Sequence, residues 1–182
     1  MIKLAPVISS LSQEQEFEVK IINTGQHRDM AGSFLCLFGL SPHYNLDVMT
    51  AKQSLFYLTS QIIKGLEEIF SQDKPDLVIV QGDTTSAFCG ALSAFYSQIN
   101  CAHVEAGLRT GEKYSPFPEE MNRVLITRLA DLHFAPTPRS RENLLREGIE
   151  EEKIYITGNT IVDTLFQVLE KDFPFQNEIL LQ

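Results

Sequence analysis

With 182 residues, 43% of them hydrophobic and 21% charged, the chain suits a single globular domain with a core of its own. Its 15 lysines and arginines against 24 aspartates and glutamates leave a formal charge of -9. That balance speaks against general attraction to nucleic acid or to an anionic membrane, though not against a local cluster of cations holding an anionic ligand. No apolar run approaches the roughly 18 residues of a membrane span. The amino terminus has a single Lys3, a proline at position 6 and no small-residue cleavage site, so it does not read as a signal peptide. Cys36, Cys89 and Cys101 show no CxxC spacing and fall inside apolar runs. They are expected to be buried free thiols of a reducing compartment, and the expected setting is the cytoplasm.

In chain order, Ile2, Leu4, Ala5, Ile8 and Leu11 form a helical stripe over residues 2–12. Phe17–Ile22 is a strand candidate that exits through Asn23-Thr24-Gly25, and His27–Phe38 reads as a helix closed by Gly39. Asn45–Met49 is a possible short strand. Ser54–Phe70 has apolar residues at 55, 58, 62, 66 and 69, a helical spacing, and Lys74-Pro75-Asp76 breaks it before a strand at Leu77–Val80. Then follow a helix at Ser86–Gln98, a strand at Cys101–Val104 and a helix at Glu119–Ala130 with Pro118 near its start. A strand at Leu132–Phe134, a helix at Arg139–Glu147 ended by Gly148, a strand at Ile154–Ile156 and a helix at Thr160–Leu169 complete the series. Strands alternating with helices of this length predict an α/β fold. The form expected is a Rossmann-like parallel sheet with helices on both faces and right-handed crossovers.

In such sheets ligands bind just past the carboxyl ends of the strands. Three polar clusters fall there or at the next helix start. Gln81-Gly82-Asp83-Thr84-Thr85 follows a strand, where Gly82 permits close backbone approach; Asp83 and Thr84 are also good helix caps. His103-Val104-Glu105-Ala106-Gly107-Leu108-Arg109 ends the next strand. A carboxylate there needs a partner, for which Arg109 is a candidate. Strand alternation predicts His103 and Glu105 on one face, and His103 reads either as a hydrogen-bonded core residue or as part of the site. Tyr114-Ser115-Pro116-Phe117-Pro118 is a stiff loop delivering Glu119 and Glu120 to a helix start, where they also complement the helix dipole. Arg123 lies one turn on, within reach of either carboxylate or of a phosphate. Thr24–Arg28 and Thr157–Thr160 belong to the same rim. There is no GxGxxG, Walker loop, HExxH or GxSxG.

TGQHRDM (24–30), QGDTT (81–85), HVEAGLRTGEKYSPFPEEMNR (103–123) and ITGNTIVDTL (156–165), in this order and spacing, resemble the non-hydrolysing UDP-N-acetylglucosamine 2-epimerases over essentially residues 2–170. The resemblance implies the N-terminal half of a GT-B-type two-domain fold with the nucleotide sugar in the cleft between domains. It implies interconversion of UDP-N-acetylglucosamine and UDP-N-acetylmannosamine by elimination of UDP and re-addition, with no redox or metal cofactor. Asp83, Glu105 and Glu119 match the family's essential carboxylates. Lys3 and Arg123 match cations of its site, with Arg109 and His103 as further substrate-binding candidates. Gln26 and His27 match positions that hold a second UDP-N-acetylglucosamine as activator, and Lys52 stands where some members carry an arginine of that second site.

Family members open with a strand and an arginine-bearing loop before their IK-x-AP, whereas here Ile2-Lys3-Leu4-Ala5-Pro6 directly follows Met1. Residues 1–170 are therefore expected to form one Rossmann-like domain short of a central strand, with 171–182 a tail towards an absent second domain. Negligible activity alone, a second domain supplied by a separate chain, and the family's homodimer are the corresponding expectations for partners. A hydrolysing epimerase and a non-catalytic sugar-nucleotide-binding or assembly remnant are the alternatives.

Overall fold

The computed structural model describes residues 2–25, 34–49 and 53–169. The start of the expected helix at His27–Phe38 and the tail 171–182 lie outside the described residues, and 34–38 are helical. A 3₁₀ turn at Ile2–Leu4 leads into α1 (Ala5–Leu11), with Pro6 in its first turn, where the missing N–H removes no helical bond. β1 (Ile22–Asn23) and β2 (Tyr44–Asn45) pair in parallel. They are shorter and differently placed than the expected Phe17–Ile22 and Asn45–Met49. Only Ile22↔Tyr44 and Asn23↔Asn45 find ladder partners, and an extended stretch with no neighbour to bond is not a strand.

α2 (Leu55–Asp73) is capped by the Ser54 hydroxyl, which accepts from the Tyr57 amide, and ends where Lys74 enters the left-handed region at φ 45. Its stripe of Leu58, Ile62, Leu66, Ile69 and Phe70 is buried, each such side chain contributing roughly 1.5–3 kcal/mol. β3 (Leu77–Gln81), α3 (Thr85–Tyr96), β4 (Asn100–Val104), α4 (Glu119–Leu129), β5 (Leu132–Ala135), α5 (Pro138–Arg146), β6 (Ile154–Ile156) and α6 (Ile161–Leu169) follow. β3, β4, β5 and β6 form one parallel sheet in that order.

Among the described residues no ladder joins β1 to β3, so the strands form two sheets. They share one core: Ile22, Tyr44 and Leu46 from the first sheet pack with Val78 and Val80 of β3 against α2, α3 and Ile126 of α4. Cys89 and Cys101 are buried thiols, but Cys36 is exposed, contrary to expectation. Its neighbour Leu35, one position away on the same helical stretch, takes the buried position instead. No helix among the described residues is long and apolar enough to cross a membrane.

Candidate active site

The loops after the parallel strands converge on one rim. β3 ends at Gln81, and Gly82 (φ 73) turns the chain so that Asp83 stands at the edge and Thr84 caps α3 through its hydroxyl. β4 ends at Val104, and Glu105 takes the left-handed conformation at φ 68. A non-glycine residue there costs on the order of 1 kcal/mol or more and persists only where its surroundings hold it. Here they do. The Glu105 carboxylate is ion-paired with Lys3 and accepts a 2.7 Å hydrogen bond from the Gln81 amide. The backbone beneath Lys3 is itself held: the Thr160 hydroxyl donates to its carbonyl at 2.6 Å, and Thr164 donates to the carbonyl of Ile2 at 2.9 Å.

The second pair lies beside the first. Arg123 on α4 is ion-paired with Asp83, and its other terminal nitrogen lies 3.3 Å from Glu120. Asn122, one residue earlier, donates to the Asp83 carbonyl at 2.9 Å. From below, the fully buried His103 holds the Gly82 carbonyl at 2.8 Å through Nε2. Burial pushes its pKa down to about 4, so the ring is neutral and Nε2–H donates. His103 is fully buried against the Gly82 carbonyl, whereas Glu105, at its positive φ, pairs with Lys3 and Gln81.

Glu120, at the second position of α4, is buried, and its carboxylate accepts from the backbone amides of Thr110 at 3.1 Å and Gly111 at 3.0 Å. Burial alone would raise its pKa, but the Gly111 and Thr110 hydrogen bonds and the Arg123 charge together hold it below the usual carboxylate range. Glu120 thus fastens the loop before α4, which contains the cis peptides Ser115-Pro116 and Phe117-Pro118. Glu119, half-buried at the first position of α4, makes no ion pair or hydrogen bond among the described residues.

Arg109 goes elsewhere. It does not pair with Glu105; its guanidinium grips Glu147 at 2.6 and 2.9 Å and donates to Thr127 at 2.8 Å. The cause is Gly107, at φ 84, where a Cβ would stand 2.2 Å from the Ser140 carbonyl oxygen. That close pass against α5 carries Leu108 and Arg109 away from Glu105. Gln26, His27 and Lys52 lie outside the described residues. The sequence patterns put Arg123 within reach of Glu120, as found, but did not single out Gln81 or Asn122 for their contacts. The only signal was the polar character of residues bracketing Asp83 and Arg123.

Carboxylates and cations thus gather at the carboxyl ends of the parallel strands, the position where α/β sheets bind ligands. A family model described as UDP-N-acetylglucosamine 2-epimerase matches residues 9–180, and the chain belongs to this family of isomerases. It is 49% identical over 170 residues to the UDP-N-acetylglucosamine 2-epimerase of Salmonella typhimurium, covering 93% of this chain and 45% of that protein. The fold superposes with a TM-score of 0.90, at 46% identity, on the crystal structure of the Neisseria meningitidis enzyme bound to UDP-GlcNAc, covering 93% of this chain and 46% of that one. Against the Methanocaldococcus jannaschii enzyme in complex with UDP-GlcNAc and UDP the TM-score is 0.87 at 39% identity, covering 99% and 49%. The chain thus spans about half the length of these relatives, whose fold is GT-B-like.

Proposed function

We propose that this chain supplies the proton-transfer half of a UDP-N-acetylglucosamine 2-epimerase site. The observation that carries the reading is the pairing of Lys3 with Glu105 and of Arg123 with Asp83 on one rim, from segments far apart in sequence. In the reaction, a base takes the C2 proton while the C1–O bond to UDP breaks, leaving a C1=C2 double bond and free UDP. UDP then adds back at C1 as a proton is delivered to the opposite face of C2. The chemistry requires a base, an acid and cations facing the departing diphosphate.

Glu119 makes no ion pair among the described residues, which leaves its carboxylate open to a ligand at the rim. Asp83 and Glu105 sit beside cations, and Lys3 and Arg123 are placed to offset charge on the diphosphate. His103 and Asn122 act through the backbone, holding the Gly82 and Asp83 carbonyls. Arg109 stands outside this set as a structural tie to Glu147. The chain spans about half the length of these relatives, so the reading concerns the half of the site that the matched residues would form. Binding of UDP-N-acetylglucosamine, a cytoplasmic setting and a homodimer belong to the same reading.

Co-expression of this chain with the second half of the Neisseria meningitidis relative tests it. The expected result is no UDP-N-acetylmannosamine from the chain alone, product from the complex, and loss of product with Glu119→Gln. Turnover by the chain alone overturns the need for a second half, and a folded complex without product overturns the function. Release of free N-acetylmannosamine in place of the nucleotide sugar identifies the hydrolysing alternative.

A further inference from the structure

The two oxygens of Glu105 are held by side chains of different kinds. Lys3 is ion-paired with Oε1, and the Gln81 amide donates to Oε2 at 2.7 Å. The Glu105 side chain is only 11% exposed, so these partners, more than water, set what its carboxyl can do. Their placement follows from the sheet: Gln81 ends β3 in register with Val104, and Glu105 follows Val104 at its positive φ. A Cβ at Gly82 would stand 3.6 Å from Glu105 Oε2, so the turn after Gln81 runs close by the same oxygen.

A lysine ammonium only donates, so it keeps an oxygen that carries no proton. A glutamine amide has an NH₂ group on one side and a carbonyl on the other, and a half turn about its last torsion exchanges them. Among the described residues Gln81 Oε1 accepts no hydrogen bond, so no bond on that side opposes the half turn. Glu120 is the contrast. Its partners are the backbone amides of Thr110 and Gly111 and the Arg123 guanidinium, all obligate donors that suit the ionised form alone.

We propose that Gln81 is a positioning residue that supports Glu105 in both of its proton states, an inference that rests on the epimerase reading of this rim. With Glu105 ionised, Gln81 Nε2 donates to it, the arrangement observed. When Glu105 takes the C2 proton, the C2–H electron pair becomes the C1=C2 double bond and UDP departs with the C1–O pair. Lys3 keeps Oε1, so the proton resides on Oε2. The carbon that gave the proton now belongs to the double bond and offers the new O–H no acceptor. The Gln81 amide therefore turns, and its Oε1 accepts from the Glu105 O–H. In the opposite direction of reaction the carboxyl returns its proton and the amide turns back. No proton passes to Gln81 itself.

Glu105→Gln reproduces the protonated arrangement at neutral pH, because Lys3 holds the carbonyl oxygen of the new amide and leaves its NH₂ group facing Gln81. In nuclear magnetic resonance spectra of the isotope-labelled chain, the Gln81 side-chain amide is identified by its loss in Gln81→Met. Its protons are expected to exchange slowly with water in the unsubstituted chain and at least about tenfold faster in Glu105→Gln. In the complex with the second half of the Neisseria meningitidis relative, Gln81→Met and Gln81→Lys are each expected to lower kcat at least about tenfold, with KM within about twofold. Lysine donates but cannot accept, so unchanged kcat in Gln81→Lys would overturn the proposal. Unchanged protection of the Gln81 amide in Glu105→Gln, or a loss confined to KM, would overturn it too. An unsubstituted complex that makes no product overturns the epimerase reading and the catalytic role of Gln81 with it. The spectra of the chain alone distinguish that result from a failure at Gln81.

Discussion

Arg123 and Asp83, 40 residues apart, are joined by an ion pair across the mouth of the rim, and the same guanidinium also reaches Glu120. The Arg123 side chain is only 12% exposed, so this one cation offsets two carboxylates in a partly water-excluded place. Its Nε is buried without a hydrogen-bond partner. Arg123→Met is therefore expected to leave Asp83 and Glu120 uncompensated and to destabilise the domain by about 3 kcal/mol. Asp83→Asn, which keeps a hydrogen-bond acceptor at a more exposed position, should cost about 1 kcal/mol. Urea unfolding of the three proteins checks the order; equal midpoints would show that the pair contributes nothing.

Glu120 ties the loop before α4 to the helix. In Glu120→Gln the charge is lost, while one neutral oxygen remains for the amides of Thr110 and Gly111. Amide exchange at those two positions should accelerate at least about tenfold, corresponding to roughly 1.4 kcal/mol of weakened charge-assisted bonding. Exchange in β3 and β4 should stay as it was. Unchanged protection at Thr110 and Gly111 would remove Glu120 from this role.

Gly107 and Gly148 have nearly the same positive φ, 84 and 82, but different surroundings. Gly148→Ala meets nothing within 4 Å and should cost about 1 kcal/mol for the backbone conformation alone. Gly107→Ala drives a methyl into the Ser140 carbonyl and must displace α5, with an expected loss of about 3 kcal/mol or more. Comparison of denaturation midpoints separates the two; similar losses would mean that the close pass against α5 is easily relaxed.

His103 and His133, paired in register on β4 and β5, are both fully buried. Burial, aided for His133 by the nearby Arg109 charge, pushes each pKa down to about 4 from an ordinary 6.5. The unfolded chain takes up these protons first, so protonation favours unfolding. Stability should be fully present above about pH 6.5 and decline as pH falls towards 4, by up to roughly 3 kcal/mol for each ring. Denaturant titrations between pH 7 and 4.5 should show the decline, and His133→Leu should remove about half of it. A flat profile over that interval would contradict neutral burial.

Much of the fold was legible because apolar runs and periodic helices punctuated by Gly, Pro and capping residues dictate βα alternation locally. β3, β4, β6 and the helices from Ser54 onward lie where those signals put them, within a residue or three at the ends. The first two strands were harder, because a strand exists only where a neighbour offers a ladder, and the lone pairing of 22–23 with 44–45 is a tertiary event. The rim was legible as chemistry but not as pairing. Arg109 looked like the natural partner of Glu105 at a separation of four residues, yet one glycine's close pass against α5 sends it to Glu147. Lys3, 102 residues from Glu105, could not be matched to it by spacing at all.

That long separation has a kinetic meaning. The backbone on either side of Lys3 is fastened by hydroxyls of Thr160 and Thr164, 157 and 162 residues away from their partners. The rim therefore joins the earliest described residues to the last described helix, and loop closure over such distances is slow and costly in chain entropy. During synthesis, Glu105 emerges long before α6 can anchor the segment that neutralises it. The charged rim is thus among the last features of the domain to assemble, and a nascent chain shorter than about 160 residues has the sheet without the finished site.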